Sequence, residues 1–260
     1  MELHYEVRGK GEPLIILHGL FGSLDNWHSI AVKLSENFKV FTLDQRNHGH
    51  SPHSFEMDYR LMAEDVSHFI AGQQLMDAFV MGHSMGGKTA MQLALLYPDV
   101  VRKLVVVDIA PRRDPPRHEG ILAGLQSLDF NHFKTRREME EALAPSVPDL
   151  STRRFLLKNA ARDENGDFHW RFGLEEIQRN YARLTEAVTS DNPFKKPALF
   201  VRGEHSDYFV ESDLQAVQRL FPHALLKTVP AAGHLVHVEN SNVFITIVLE
   251  FLLSFTGLTQ

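Results

Sequence analysis

Residues Asp77 to Ala90 read DAFVMGHSMGGKTA. A short apolar run, Ala78 to Met81, leads into Gly82-His83-Ser84-Met85-Gly86-Gly87 and then an apolar-periodic segment, Thr89 to Tyr97. That succession predicts a strand, a very tight turn and a helix. The turn spells Gly-x-Ser-x-Gly, the pattern of a nucleophile elbow. A Ser at such an apex has a strained backbone and an exposed hydroxyl, and flanking glycines leave room for neighbouring chain. The helix that follows would aim its first N–H groups at the same spot, where an oxyanion would form. The same residues also match Gly-x4-Gly-Lys-Thr through Lys88-Thr89, the phosphate loop of nucleotidases. Leu104 to Val107 followed by Asp108 even resembles the apolar strand that ends in a magnesium-binding Asp. These residues alone leave both readings open.

Upstream, Leu3 to Val7 alternates as a strand, and Pro13 to Leu17 is a continuous apolar run, the mark of a strand buried on both faces. His18-Gly19-Leu20-Phe21-Gly22-Ser23 follows it. Asp25 to Leu34 has helical spacing, and Val40 to Leu43 is a third buried strand. It runs into a polar loop, Asp44 to Pro52. Tyr59 to Ile70 is helical, the elbow follows, and Lys103 to Ile109 is another strand. Strands alternating with helices predict a doubly wound, mostly parallel α/β sheet.

The rhythm breaks between Pro111 and Pro193. Charged amphipathic segments take over at Glu119 to Leu128, Arg136 to Leu143, Ser151 to Ala161 and Leu174 to Val188, with an Asn165-Gly166 turn. Strands resume at Ala198 to Val201 and Leu225 to Val229, flanking a helix near Ser212 to Leu220. A helix over Val243 to Phe255 closes the chain. The expected division is a core of residues 1–110 and 194–260 with a helical cap, 111–193, inserted after the sixth strand.

Composition bounds the function. The chain has 260 residues, 43% hydrophobic and 23% charged, which suits one globular α/β domain with an insertion. Net charge is −6 with no basic run, which argues against a nucleic-acid partner. There is no Cys, so no disulfide and no thiolate metal site. The start lacks a signal-peptide pattern, and no apolar run approaches the ~18 residues of a membrane span. A cytoplasmic location is expected.

A Ser nucleophile needs a base, an orienting acid and an oxyanion hole. The elbow fold places them in the order Ser, acid, His. Gly233-His234 lies downstream of Ser84 in a loop after the last strand. His18-Gly19 lies upstream after a buried strand, where a loop N–H could complete the hole. His18-Gly19, Asp44-x-Arg46-x-x-Gly49-x-Ser51, Gly82 to Gly87 and Gly233-His234 together resemble the α/β-hydrolase fold family from end to end. The wordings HGLFGSLDNW, DQRNHGHSP and VVVDIAP look closest to its YbfF-type esterase branch.

The resemblance implies a carboxylic ester hydrolase with no metal or organic cofactor, and oxyanion donors at the backbone of Leu20 and Met85. Its substrate would be a small-molecule acyl ester of short to medium chain, or an acyl-CoA thioester. A lyase or carbon–carbon hydrolase could use the same triad. A nucleotidase has no use for His18-Gly19 or Gly233-His234, and a ligand-binding module has none for Ser84 with His234. Lys88 is then expected to pack or be solvated at the helix start. Asp44 and Arg46 are expected to brace their loop. His48, His50 and His53 are expected to face different ways rather than hold a metal. Phe21, Trp170 and Phe172 are the substrate-pocket candidates.

The acid has two candidates. In many family members it follows the next-to-last strand as Gly-x-x-Asp. Here that stretch is Gly203-Glu204-His205-Ser206-Asp207, so Ser206 holds the slot and Asp207 is one residue late. Asp108 ends the strand after the elbow helix, where the family has an alternative acid site, and is preferred.

Overall fold

The computed structural model describes residues 1–254. Seven strands form one sheet: β1 (Tyr5–Arg8), β2 (Pro13–Leu17), β3 (Lys39–Leu43), β4 (Ala78–His83), β5 (Val101–Val107), β8 (Ala198–Gly203) and β9 (Ala224–Val229). Two short strands, β6 (Ala160–Arg162) and β7 (Phe168–Trp170), pair separately as an antiparallel hairpin. The sheet order is β1-β3-β2-β4-β5-β8-β9. Only β1 runs antiparallel, at the edge against β3. The central strands are buried along nearly their whole length, which is why they read as unbroken apolar runs rather than as alternation.

Helices cover both faces. α1 (His28–Leu34) lies on one side, and α2 (Tyr59–Gly72) and α3 (Met85–Leu96) on the other. The inserted segment carries α4 (Glu119–Gln126), α5 (Arg136–Leu143), α6 (Leu150–Leu157) and α7 (Leu174–Leu184). After β8 come α8 (Leu214–Leu220), α9 (Val236–Glu239) and α10 (Ser241–Leu253). The expected end of the last helix, Phe255, lies outside the described residues. In chain order the insertion follows the fifth strand, β5, where the sequence reading expects a sixth. The β6–β7 hairpin was not expected. Its strands are three residues each, too short to carry a period, and only the Asn165-Gly166 turn between them is visible in the sequence.

Two apolar clusters fill the two faces of the sheet. A third sits above the sheet's C-terminal edge. There Leu122, Leu125, Leu156 and Ile177 of the insertion meet Phe21, Met62 and Met85. The chain winds outward from β2 to β3, then crosses back to β4 on the other side of β2. The C-terminal ends of β2 and β4 therefore flank the point where the winding reverses, the place where α/β sheets open a ligand crevice.

Candidate active site

Ser84 stands at that crevice, between β4 and α3, with φ 53° and ψ −119°. This left-handed backbone is costly for a residue with a side chain and holds only because the surroundings fix it. A Cβ on Gly82 would lie 2.1 Å from the carbonyl oxygen of Gly86, and one on Gly86 would lie 2.4 Å from that of Leu17. Both positions must be glycine for strand and helix to approach so closely. Met85 is the first residue of α3, so its N–H has no carbonyl one turn back and stays available.

The loop after β2 is held rigidly opposite. Phe21 has φ 58° and donates its N–H to His48 Nε2 at 3.2 Å. His18 accepts the Gln45 N–H at Nε2 (3.0 Å) and bonds the Gly19 carbonyl through Nδ1 (2.8 Å). Burial lowers His18 to about 4 and His48 to about 3, so both rings are neutral braces. Asp44 accepts N–H bonds from Leu24 and His50, and Arg46 pairs with Asp65 at 2.6 Å. The conspicuous Asp44–Ser51 loop thus acts through the backbone that presents Leu20. Among the described residues no group of His, Cys, Asp or Glu is arranged to hold a metal.

His234 bonds Asp108 Oδ2 through Nδ1 at 2.7 Å. Asp108 is 1% exposed, with φ 52° just past the end of β5. Its Oδ1 accepts the Gly203 N–H at 2.9 Å, and its Oδ2 also accepts the Ser206 hydroxyl. Both carboxylate oxygens of Asp108 therefore accept hydrogen bonds from the protein. Asp108 therefore holds the His234 proton on Nδ1 and leaves a lone pair at Nε2. The Tyr208 ring stacks on His234 at 3.7 Å and 16°, and His83 Nε2–H donates to the His234 carbonyl at 2.9 Å. Asp207, the other candidate, bonds Arg117 at 2.6 Å and has a 71% exposed side chain. It makes no hydrogen bond to His234.

Ser84 and His234 line one cavity of about 330 Å³ with Gly19, Leu20 and Phe21. A smaller compartment of about 40 Å³ adjoins it, sharing Ser84, Leu20 and Tyr208 and lined further by Met85, Tyr59, Ile109 and Tyr181. A larger groove of about 850 Å³ between Asp25 and the arginines of α5 contains none of these groups. Phe21 is on the cavity wall, whereas Trp170 and Phe172 are not. Those two rings stack on each other at 5.1 Å, and Phe172 packs behind Phe21 at 5.6 Å. Their place on the wall is taken by Ile121, Phe155 and Leu156. The amphipathic spacing of α4 and α6 marked their apolar faces but not which residues would reach Ser84.

Lys88 is neither solvated nor free for a phosphate. It is fully buried, pairs with Asp114 at 2.6 Å and donates to the carbonyls of Arg112 and Glu186. Thr89 is equally buried, within α3. The local match to a phosphate loop therefore has no available cation, and Lys88 instead ties α3 to both ends of the insertion. Sequence reasoning missed Tyr208, His83, Arg117 and His118 at this site. Ser206 was visible through its slot.

Comparison with known proteins identifies the family. The model of the alpha/beta hydrolase fold matches residues 12–241. The sn-1-specific diacylglycerol lipase ABHD11 of Danio rerio is 38% identical, across 97% of this chain and 83% of its own. Esterase YbfF of Escherichia coli (strain K12) is 32% identical, across 94% of both chains. A solved structure described as a marine microorganism esterase superposes with a TM-score of 0.94 at 44% identity, covering 96% of this chain and 99% of that one. The chain belongs to the α/β-hydrolase fold family.

Proposed function

We propose that this carboxylic ester hydrolase cleaves short- to medium-chain acyl esters through a covalent intermediate on Ser84, with His234 as base and Asp108 as its orienting acid. The observation that carries the reading is the 2.7 Å His234–Asp108 bond beside a cavity that Ser84 and His234 share. His234 Nε2 takes the Ser84 proton as the oxygen attacks the acyl carbon. Negative charge moves to the former carbonyl oxygen, which the N–H groups of Leu20 and Met85 stabilise. The tetrahedral species collapses, the alcohol leaves with the proton from His234, and the acyl group stays on Ser84. Water, deprotonated by His234, then releases the carboxylic acid. An acyl-CoA thioester would follow the same steps with a thiol leaving.

The same reading makes residues 111–193 a cap that sets substrate range rather than chemistry. Supporting it, Ile121, Phe155 and Leu156 supply apolar wall, while Ser84, His234 and Asp108 all lie outside the insertion. A panel of p-nitrophenyl esters of increasing chain length, run beside acyl-CoA substrates, tests the proposal. Hydrolysis should be greatest at short to medium chains, and Ser84→Ala should lower kcat by about 10³ or more. A folded protein that cleaves no ester or thioester, or whose activity survives Ser84→Ala, would refute it.

A further inference from the structure

His237 lies in α9, three residues past His234, and lines the same 330 Å³ cavity. It is 4% exposed, and its Nδ1 is buried with no hydrogen-bond partner among the described residues. Buried polar atoms left unpaired are rare, and one beside a reaction cavity calls for an explanation. The ring stacks on Trp27 at 4.2 Å and 13°, and meets His83 edge-on at 4.9 Å. Burial, with the charge of His234 adding, lowers His237 to about 3, so it is neutral at any working pH. An orphaned N–H is costlier to bury than an orphaned lone pair. The sealed Nδ1 is therefore the unprotonated nitrogen, and Nε2 carries the hydrogen. His237 Nε2 makes no hydrogen bond among the described residues, and His237 lines the cavity, so a donor is left for what the cavity holds.

Its position says which part of an ester it would meet. The leaving oxygen takes its proton from His234, so the alcohol portion lies on the His234 side of Ser84. His83 bridges that side, 4.6 Å from His234 and 4.9 Å from His237. Asn26 lines the same wall, with its Oδ1 occupied by the Ser23 N–H at 2.7 Å. The smaller compartment that adjoins this cavity at Ser84 contains neither His237 nor Asn26. We propose that His237, with Asn26 beside it, forms a polar subsite for an oxygen on the alcohol moiety, so that the preferred substrates are monoesters of hydroxyl-bearing alcohols of the glycerol type.

This rests on the ester-hydrolase reading above, and the experiment separates the two. Glycerol 1-butyrate and propyl butyrate differ only by two hydroxyls on the alcohol. The wild-type protein should prefer the glycerol ester in kcat/KM. His237→Phe keeps a ring against Trp27 and removes the donor, so the preference should fall about three- to tenfold, the worth of one neutral hydrogen bond. Propyl butyrate, which carries no alcohol hydroxyl, is the reference against which that ratio is read. His237→Gln restores an N–H and should restore the preference. A preference untouched by His237→Phe, or both substrates falling together, would overturn the subsite. Propyl 3-hydroxybutyrate carries its hydroxyl on the acyl side, and a His237-dependent preference for it would also overturn the assignment. In the unmodified protein, the butyryl-enzyme should transfer to added glycerol in preference to propan-1-ol, corrected for glycerol's two primary hydroxyls, and equal transfer would refute the subsite without any substitution. Hydrolysis of neither ester would instead count against the ester-hydrolase reading itself.

Discussion

Strands β5 and β8 lie side by side in the sheet, and each is followed by an aspartate close to His234. The two could hardly be treated more differently. Asp108 is sealed from solvent and receives the Gly203 N–H, the Ser206 hydroxyl and His234. Asp207 points outward to Arg117. Ser206 occupies the slot that many family members give to the acid, and its hydroxyl reaches into the Asp108 carboxylate. One position of offset separates a side chain that reaches Asp108 from one that reaches the surface. The residue in the slot becomes a support for the neighbouring strand's carboxylate, and the next residue is turned to the surface. Proximity of a carboxylate to a strand's C-terminal end does not make it the partner of the base. What sets Asp108 apart is its burial and the hydrogen bonds it shares with Gly203, Ser206 and His234.

Substitutions on the two sides of this comparison should separate widely. Asp108→Asn removes the charge that stabilises the imidazolium and lets His234 adopt the wrong tautomer, so kcat should fall by about 10²–10⁴. Asp207→Asn loses a mostly exposed ion pair with Arg117, and such pairs contribute little. It should cost less than about tenfold. Steady-state kinetics on both variants, with circular dichroism to establish folding, reads the ranking. The reverse order would move the acid to the loop after β8.

A finer test concerns the support itself. Ser206→Ala deletes one hydrogen bond to a buried carboxylate, and a bond to a charged group is worth about 1.5–3 kcal/mol. Asp108 keeps its Gly203 donor, so the expected loss in kcat is about tenfold, between the two aspartate variants. No loss at all would show that the hydroxyl plays no part in orienting Asp108.

Much of this was legible beforehand, for identifiable reasons. Buried parallel strands have no solvent face, so β2, β4 and β5 stand out as unbroken apolar runs. Gly82 and Gly86 are fixed by backbone contacts that admit no side chain, so the elbow announces itself. The cavity wall is another matter. Trp170 and Phe172 drew notice as large aromatics in the insertion, but aromatic size says nothing about which face of a short hairpin meets the cavity. Lys88 is expected to pack or be solvated at the helix start, and the sequence does not say against what. Its actual partners, Asp114, Arg112 and Glu186, lie far along the chain or in an irregular segment without periodicity. Tyr208 stacks on His234 from a loop whose composition gives no sign of it.

Ser84 is the residue proposed to carry the acyl group, and covalent trapping reads that on the residue itself. A fluorophosphonate should inactivate the protein with one label per chain, and peptide mapping by mass spectrometry should find that label on Ser84. The Ser84→Ala variant should take up none. Label on another residue, or an active protein that resists labelling, would contradict the account.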